Sequence, residues 1–194
     1  FHPSLRRVTV TLMAVWFALS FGWYGLILWI PELFEAQNFH LDVYQDAFFV
    51  AASNLPGNIV AAILMDRVGR KHLLLVSMLL GGAMAVVFAF SRSAGVTVAA
   101  ACLLNAISIG AWNSLDCLST ESFPTTLRTS GLGLLSACGR IGSILGQIVF
   151  GELIKVNVAL LLSVAAAVLV LGALAACFLP KDATNQQLQE NIQK

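Results

Sequence analysis

With 194 residues, 58% of them hydrophobic and only 11% charged, the chain lacks the polar side chains to cover a soluble surface, since soluble domains are about a quarter charged. Its mean hydropathy of +0.84 calls for lipid as the solvent of the outer face. A formal net charge of +1 excludes the basic footprint that nucleic-acid binding requires.

The chain reads as an all-α integral membrane protein. Crossing roughly 30 Å of hydrocarbon takes about 20 apolar residues. Six runs are long enough: 8–34, 44–65, 73–90, 96–119, 131–154 and 158–179. The first follows a polar, basic start, Arg6-Arg7, without the form of a cleavable signal. Short polar segments at 35–43, 66–72, 91–95, 120–130 and 155–157 separate the spans. The polar tail 180–194 has the composition of a short surface helix. No linker divides residues 1–194, which therefore form one bundle. Cys102, Cys117, Cys138 and Cys177 lie inside apolar runs, outside any metal-ligand spacing, and read as small buried packing residues.

Direction follows from the cations. Arg6, Arg7, Arg67, Arg70, Lys71, Arg128, Lys181 and Lys194 share one side of a six-span weave. The other side holds Arg92 and Lys155 beside the acids Glu35, Asp42 and Asp46. Both termini are thus expected in the cytoplasm. The first span starts inside and the fourth outside, which makes the two triplets inverted three-helix repeats, an architecture of many transporters. A six-helix channel or a membrane enzyme satisfies the same count.

Ionisable groups inside a span need a reason to be there. Arg140 stands about ten residues into the fifth span, roughly 15 Å deep. Asp116 lies a turn from the cytoplasmic end of the fourth. Two roles stand open: a structural ion pair between neighbouring helices, or a place on a substrate path. Trp23, Tyr24 and Trp112 lie deep and offer edges and faces to a flat or cationic ligand, whereas Trp29 falls where interfacial indoles collect. Glu152, near the outer end, can snorkel to water. His2, His40 and His72 are expected in loops. Gly139, Gly142 and Gly146 form a stripe that lets helices approach closely. Phosphate loops, catalytic carboxylate pairs and nucleophile–base sets are not found, so no enzyme, metal or cofactor is expected.

Two loops carry a family resemblance. Asp66-Arg67-Val68-Gly69-Arg70-Lys71 resembles the Gly-x-x-x-Asp-Arg-x-Gly-Arg-Arg/Lys signature of the major facilitator superfamily. Glu121-Ser122-Phe123-Pro124, with Arg128 and Gly131, resembles the Glu-x-Phe/Tyr-Pro-x-x-x-Arg-x-x-Gly loop of its sugar-porter-like branch. Within that branch, Trp23-Tyr24-Gly25, Trp29-Ile30-Pro31, Leu55-Pro56-Gly57-Asn58 and Trp112-Asn113-Ser114-Leu115-Asp116 are similar to the group of synaptic vesicle glycoproteins and organic-ion and nicotinate carriers. The resemblance runs from Leu12 to Pro180 and implies helices seven to twelve of a twelve-helix fold.

What the resemblance implies is a secondary active transporter of a small organic ion, working by alternating access in symport with a proton. Its partners would be an N-terminal six-helix half, the lipid bilayer and the ion itself. A non-transporting receptor or vesicle protein on the same scaffold is the alternative. The membrane would be a plasma or inner membrane, with a vesicle membrane as the second choice. Trp23, Tyr24, Trp112, Asn113, Asp116 and Arg140 are expected to bind substrate. Asp66, Arg67, Gly69, Arg70, Lys71, Glu121 and Arg128 are expected to form a cytoplasmic gate that holds the halves closed and breaks on switching; simple positive-inside anchoring is the alternative for these charges. Departures from the pattern are Ala62 at the first signature glycine, which loosens the helix approach expected there, and Pro180-Lys181-Asp182-Ala183-Thr184 in place of Pro-Glu-Thr-Lys-Gly. The connection 32–46 is too short for the large luminal domain of the vesicle glycoproteins. The Gln-Gln and Asn pattern of sugar porters is absent, which disfavours sugar.

Overall fold

The computed structural model describes residues 3–36 and 42–179. The expected tail helix, His2 and His40 lie outside the described residues. Among the described residues there are eight helices: α1 (Pro3–Ile27), α2 (Ile30–Ala36), α3 (Val43–Ala52), α4 (Asn54–Val68), α5 (Arg70–Phe90), α6 (Ala94–Glu121), α7 (Arg128–Leu153) and α8 (Val158–Cys177). Six stretches among the described residues are long and apolar enough to cross a membrane, one of them formed by α3 and α4 in series. Helices satisfy their own backbone groups, which is the condition for crossing lipid.

Polar residues cap the helices at one end of the bundle. Asp42 accepts from Gln45 N at 3.3 Å, Ser93 from Val96 N at 3.4 Å, and Asn157 from Ala159 N at 2.8 Å, each capping the helix that follows. At the opposite end Lys71 Nζ donates to the carbonyls of Cys177 (3.0 Å) and Leu179, and places a cation on the C-terminus of α8.

Packing runs α7–α1–α8–α5–α6–α4, each helix lying mainly against its neighbours in that order. Two apolar layers fill the middle. One gathers Phe21, Phe34, Phe88, Leu104, Phe150 and Leu161; the other gathers Leu12, Leu19, Leu74, Met78, Leu115 and Leu169. The glycine stripe closes the α1–α7 seam as expected. A Cβ on Gly142 would lie 2.6 Å from Phe17 O, and one on Gly146 2.7 Å from Phe21 O. In the second and fifth spans only 11% and 22% of the most apolar window is buried, against 39–50% in the other four. α4 and α7 therefore present the most open faces of the bundle.

Several details differ from the sequence reading. The expected first span, 8–34, breaks at Leu28 and Trp29, because Pro31 has no N–H to bond the carbonyl of Ile27, where α1 ends. The expected loop 66–72 is a one-residue junction: α4 continues to Val68 and α5 starts at Arg70, with Gly69 at φ 90°. His72 is accordingly in the first turn of α5. The close approach of α4 to α6 falls at Gly57, where a Cβ would sit 2.7 Å from Ala106 O, while Ala62 is exposed. Cys102, Cys117 and Cys138 are only half-buried and Cys177 is exposed, so none is a fully buried packing residue. Trp29 lies against Gly151 of α7, with its Nε1 buried, instead of standing free in an interfacial belt.

Candidate functional site

Two helix faces meet inside the bundle. Trp16, Ser20 and Trp23 recur at four- and three-residue steps along α1; Asn105, Trp112, Asp116 and Ser119 recur at steps of seven, four and three along α6. Such spacing places each set on one face. Trp112 is the centre of the meeting. Its ring packs edge-on against Trp16 (centroids 5.6 Å), Trp23 (5.9 Å) and Tyr24 (5.7 Å), and Trp23 meets Tyr24 at 4.8 Å. Edge-to-face pairs of this kind stabilise beyond simple area burial.

The indole nitrogens divide in their partners. Trp16 Nε1 donates to Ser119 Oγ at 2.9 Å, and Trp23 Nε1 donates to Asn105 Oδ1 at 3.3 Å. Trp112 Nε1 is buried and has no hydrogen-bond partner among the described residues. Beside it lies a cavity of about 40 Å³ lined by Trp16, Ser20, Tyr24, Trp112, Ser136, Gly139 and Arg140. Three hydroxyl side chains, a guanidinium and a free indole N–H give that space a donor character suited to an acceptor group.

Arg140 is thus brought to Tyr24 and Trp112, as a common site requires. Asp116 is exposed, and among the described residues it forms no ion pair with Arg140. The structural-pair role considered for these two residues does not occur here, because α6 and α7 barely touch. Asn113 Nδ2 donates to Asn58 Oδ1 at 2.9 Å, and Asn58 in turn donates to Asn54 O at 2.9 Å, extending the polar face onto α4.

The sequence reading missed Trp16, Asn105, Asn54, Asn58 and Gln147, whose Nε2 donates to the carbonyl of Tyr24. Amide side chains within spans were the available signal, since polar residues there face the bundle interior or a cavity. Trp16 stands seven residues before Trp23, which puts both on one face.

Just beyond Ser119, at the end of α6, Arg70 Nη2 pairs with Glu121 Oε1 at 3.3 Å and Cys117 Sγ donates to the same oxygen at 3.4 Å, tying α5 to α6. Lys71 serves as the cap of α8 described above, and Gly69 as the α4–α5 junction. Asp66 and Arg67 are exposed on α4 and form no ion pair among the described residues. Arg128 opens α7, apart from the Arg70–Glu121 pair, with its Nε and Nη2 buried and without hydrogen-bond partners among the described residues.

Comparison with known proteins bears on the whole bundle. Residues 12–194 match the family described as the Major Facilitator Superfamily. The chain is 39% identical over 142 residues to mouse synaptic vesicle glycoprotein 2C, covering 73% of this chain and 20% of that protein. It is 34% identical over 148 residues to a Bacillus subtilis (strain 168) protein named as a niacin/nicotinamide transporter, NiaP, covering 76% of this chain and 37% of that protein. Human synaptic vesicle glycoprotein 2B is 34% identical over 155 residues. The chain thus spans between about a fifth and somewhat over a third of the length of these relatives. Its six apolar helices, its loop signatures and this match identify it as a multi-pass integral membrane protein that belongs to the major facilitator superfamily.

Proposed function

We propose that the chain is the C-terminal six-helix half of a secondary carrier for a small organic ion, working by alternating access with a coupled proton. The observation that carries this reading is the convergence of Trp16, Trp23, Tyr24 and Trp112 beside Arg140 and the amide face of α4 and α6. Edge-on aromatic rings fit a flat ligand, and Arg140 supplies a charge to steer it. Exposed Asp116 and Arg140 inside spans also support a water-filled path, because lipid would not accept them.

The open faces of α4 and α7 suit an N-terminal half of matching form. Against that half, Asp66, Arg67 and Arg128 would complete a cytoplasmic gate whose first element is the Arg70–Glu121 pair. Both termini would then lie in the cytoplasm of a plasma or inner membrane. Similarity to a protein named as a niacin/nicotinamide transporter makes nicotinate and nicotinamide natural probes, since they share a ring and differ in charge.

Uptake into vesicles reconstituted with both halves tests the reading. Because Arg140 and Asp116 do not pair, Arg140→Gln should fold in normal yield. A lost charge-assisted bond of about 1.5–3 kcal/mol should lower nicotinate affinity by roughly ten- to a hundredfold. The double variant Asp116→Asn, Arg140→Gln should also fold and stay inactive. Full uptake by that double variant would remove both residues from the site.

A further inference from the structure

Asn105 is wholly buried in an otherwise apolar stretch of α6. A buried amide is tolerated when its donors and acceptor are met, and here they are. Its Oδ1 accepts from Trp23 Nε1 at 3.3 Å. Its Nδ2 lies 2.7 Å from Val50 O, 2.8 Å from Asn54 Oδ1 and 3.3 Å from Ser53 Oγ. An indole nitrogen only donates, which settles the orientation of the amide: exchanging O and N would set two donors face to face at Trp23 and turn the oxygen towards the Val50 carbonyl.

The three oxygens around Nδ2 belong to one place, the break in the second span. Ser53 closes α3 and opens α4 while keeping helical dihedrals of φ −62° and ψ −17°. Pro56 has no N–H to meet the carbonyl of Ala52, so the helical ladder is interrupted where α3 gives way to α4. Directly after it, Gly57 seats α4 against the backbone of Ala106, the residue next to Asn105. The α4 side of the break is therefore fixed to α6. The α3 side carries exposed Tyr44, Phe48 and Phe49 and is held at its end by Val50 and Asn105. Two N–H groups face three oxygens, so a small rotation of the amide exchanges one bond for another without leaving a donor unmet.

We propose that Asn105 is a positioning residue that ties the ring of Trp23 to a hinge at Ser53, so that displacement of Trp23 swings α3 against a fixed α4. The inference rests on the reading of Trp23 as a ligand-contacting residue. A ligand that draws the indole N–H from Oδ1 frees the amide to turn. Turning redistributes its donors among Val50, Ser53 and Asn54 and alters the hold on α3.

Two variants separate the arms of the amide. Asn105→Leu keeps the bulk and removes both arms; Asn105→Asp keeps an acceptor for Trp23 and replaces the donor arm by oxygen. In the reconstituted full carrier, 15N-labelled tryptophan gives an indole N–H resonance for Trp23, assigned by its loss in Trp23→Phe. That resonance should move in Asn105→Leu and hold its position in Asn105→Asp. Spin labels at Gln45 on α3 and at Ile63 on α4, each paired with one at Arg92, report the hinge. Both variants should shift and broaden the Gln45 distance while leaving the Ile63 distance unchanged. A Trp23 resonance unmoved by Asn105→Leu, or α3 and α4 shifting together or not at all, overturns the proposal. If Asn105→Leu does not fold, the distance pair in Asn105→Asp decides alone. Neither readout depends on uptake, so a protein that shows both signatures and carries no nicotinate removes nicotinate as the substrate and leaves the tie between Trp23 and the hinge standing.

Discussion

Replacing Gly142 by alanine should loosen the seam between α1 and α7 and destabilise the protein, whereas the same change at Gly133 on the same helix should stabilise α7 itself. A methyl on Gly142 would stand 2.6 Å from Phe17 O and 3.2 Å from Phe17 Cα, both backbone atoms that cannot swing aside. Reaching ordinary contact needs a retreat of about 0.8 Å along the seam. Overpacking of this kind costs about 1–3 kcal/mol, and the helix preference of alanine over glycine offsets roughly 1 kcal/mol. A net loss of about 1–2 kcal/mol remains, since the obstacle is backbone. Gly133 has nothing within 4 Å of an added Cβ, so there the helix preference stands alone. The two variants should differ by about 2–3 kcal/mol, or roughly 5–10 °C in apparent Tm. Thermal unfolding in one detergent, followed by tryptophan emission, measures the order. Equal stabilisation by both changes would refute the close seam.

The Arg70–Glu121 pair is about three-quarters or more buried on both sides, with side chains 18% and 25% exposed. A double-mutant cycle with Arg70→Ala and Glu121→Ala should give a coupling above the roughly 1 kcal/mol ceiling of surface pairs. If the pair gates the cytoplasmic end, each single variant should slow turnover more than it weakens substrate binding; loss of binding in step with transport would place the pair in the substrate site instead. For orientation, single cysteines at Gln45 and Thr126, both exposed, should react with an impermeant maleimide from opposite faces in a background where Cys177 is serine. Reaction from one face refutes the six-span weave.

Much of the architecture was legible because apolar run length determines what can cross a bilayer, and the structure begins and ends most spans within a few residues of the runs. Breaks inside the spans were not. Pro31 and Pro56 act on hydrogen bonds one turn away, so hydropathy passes over them although the proline itself is visible. Gly69 looked like part of a loop because its charged neighbours did, yet those charges sit on helix ends. In the site, the aromatic residues announced themselves by type. Asn105 did not, because an asparagine among apolar residues says only that a partner exists, and its partners lie 51 to 82 residues away in the chain. Asp116 and Arg140 show the converse error: two opposite charges on consecutive helices suggest a pair, but packing order sends α7 to α1 and α6 to α5.

The one-residue junction at Gly69 also bears on how the chain enters its membrane. α4 and α5 are joined with no slack, and the joint is surrounded by Arg67, Arg70 and Lys71. Carrying that cluster through the hydrocarbon would be costly, so the turn stays on the side where it is made. The second and third spans must then cross as a hairpin, tip held back, with α5 pulling the α3–α4 span across by its higher hydropathy of 2.5 against 1.7. A left-handed glycine at the tip makes this hairpin tight from the moment of insertion, before α6 has been synthesised to pack against either arm.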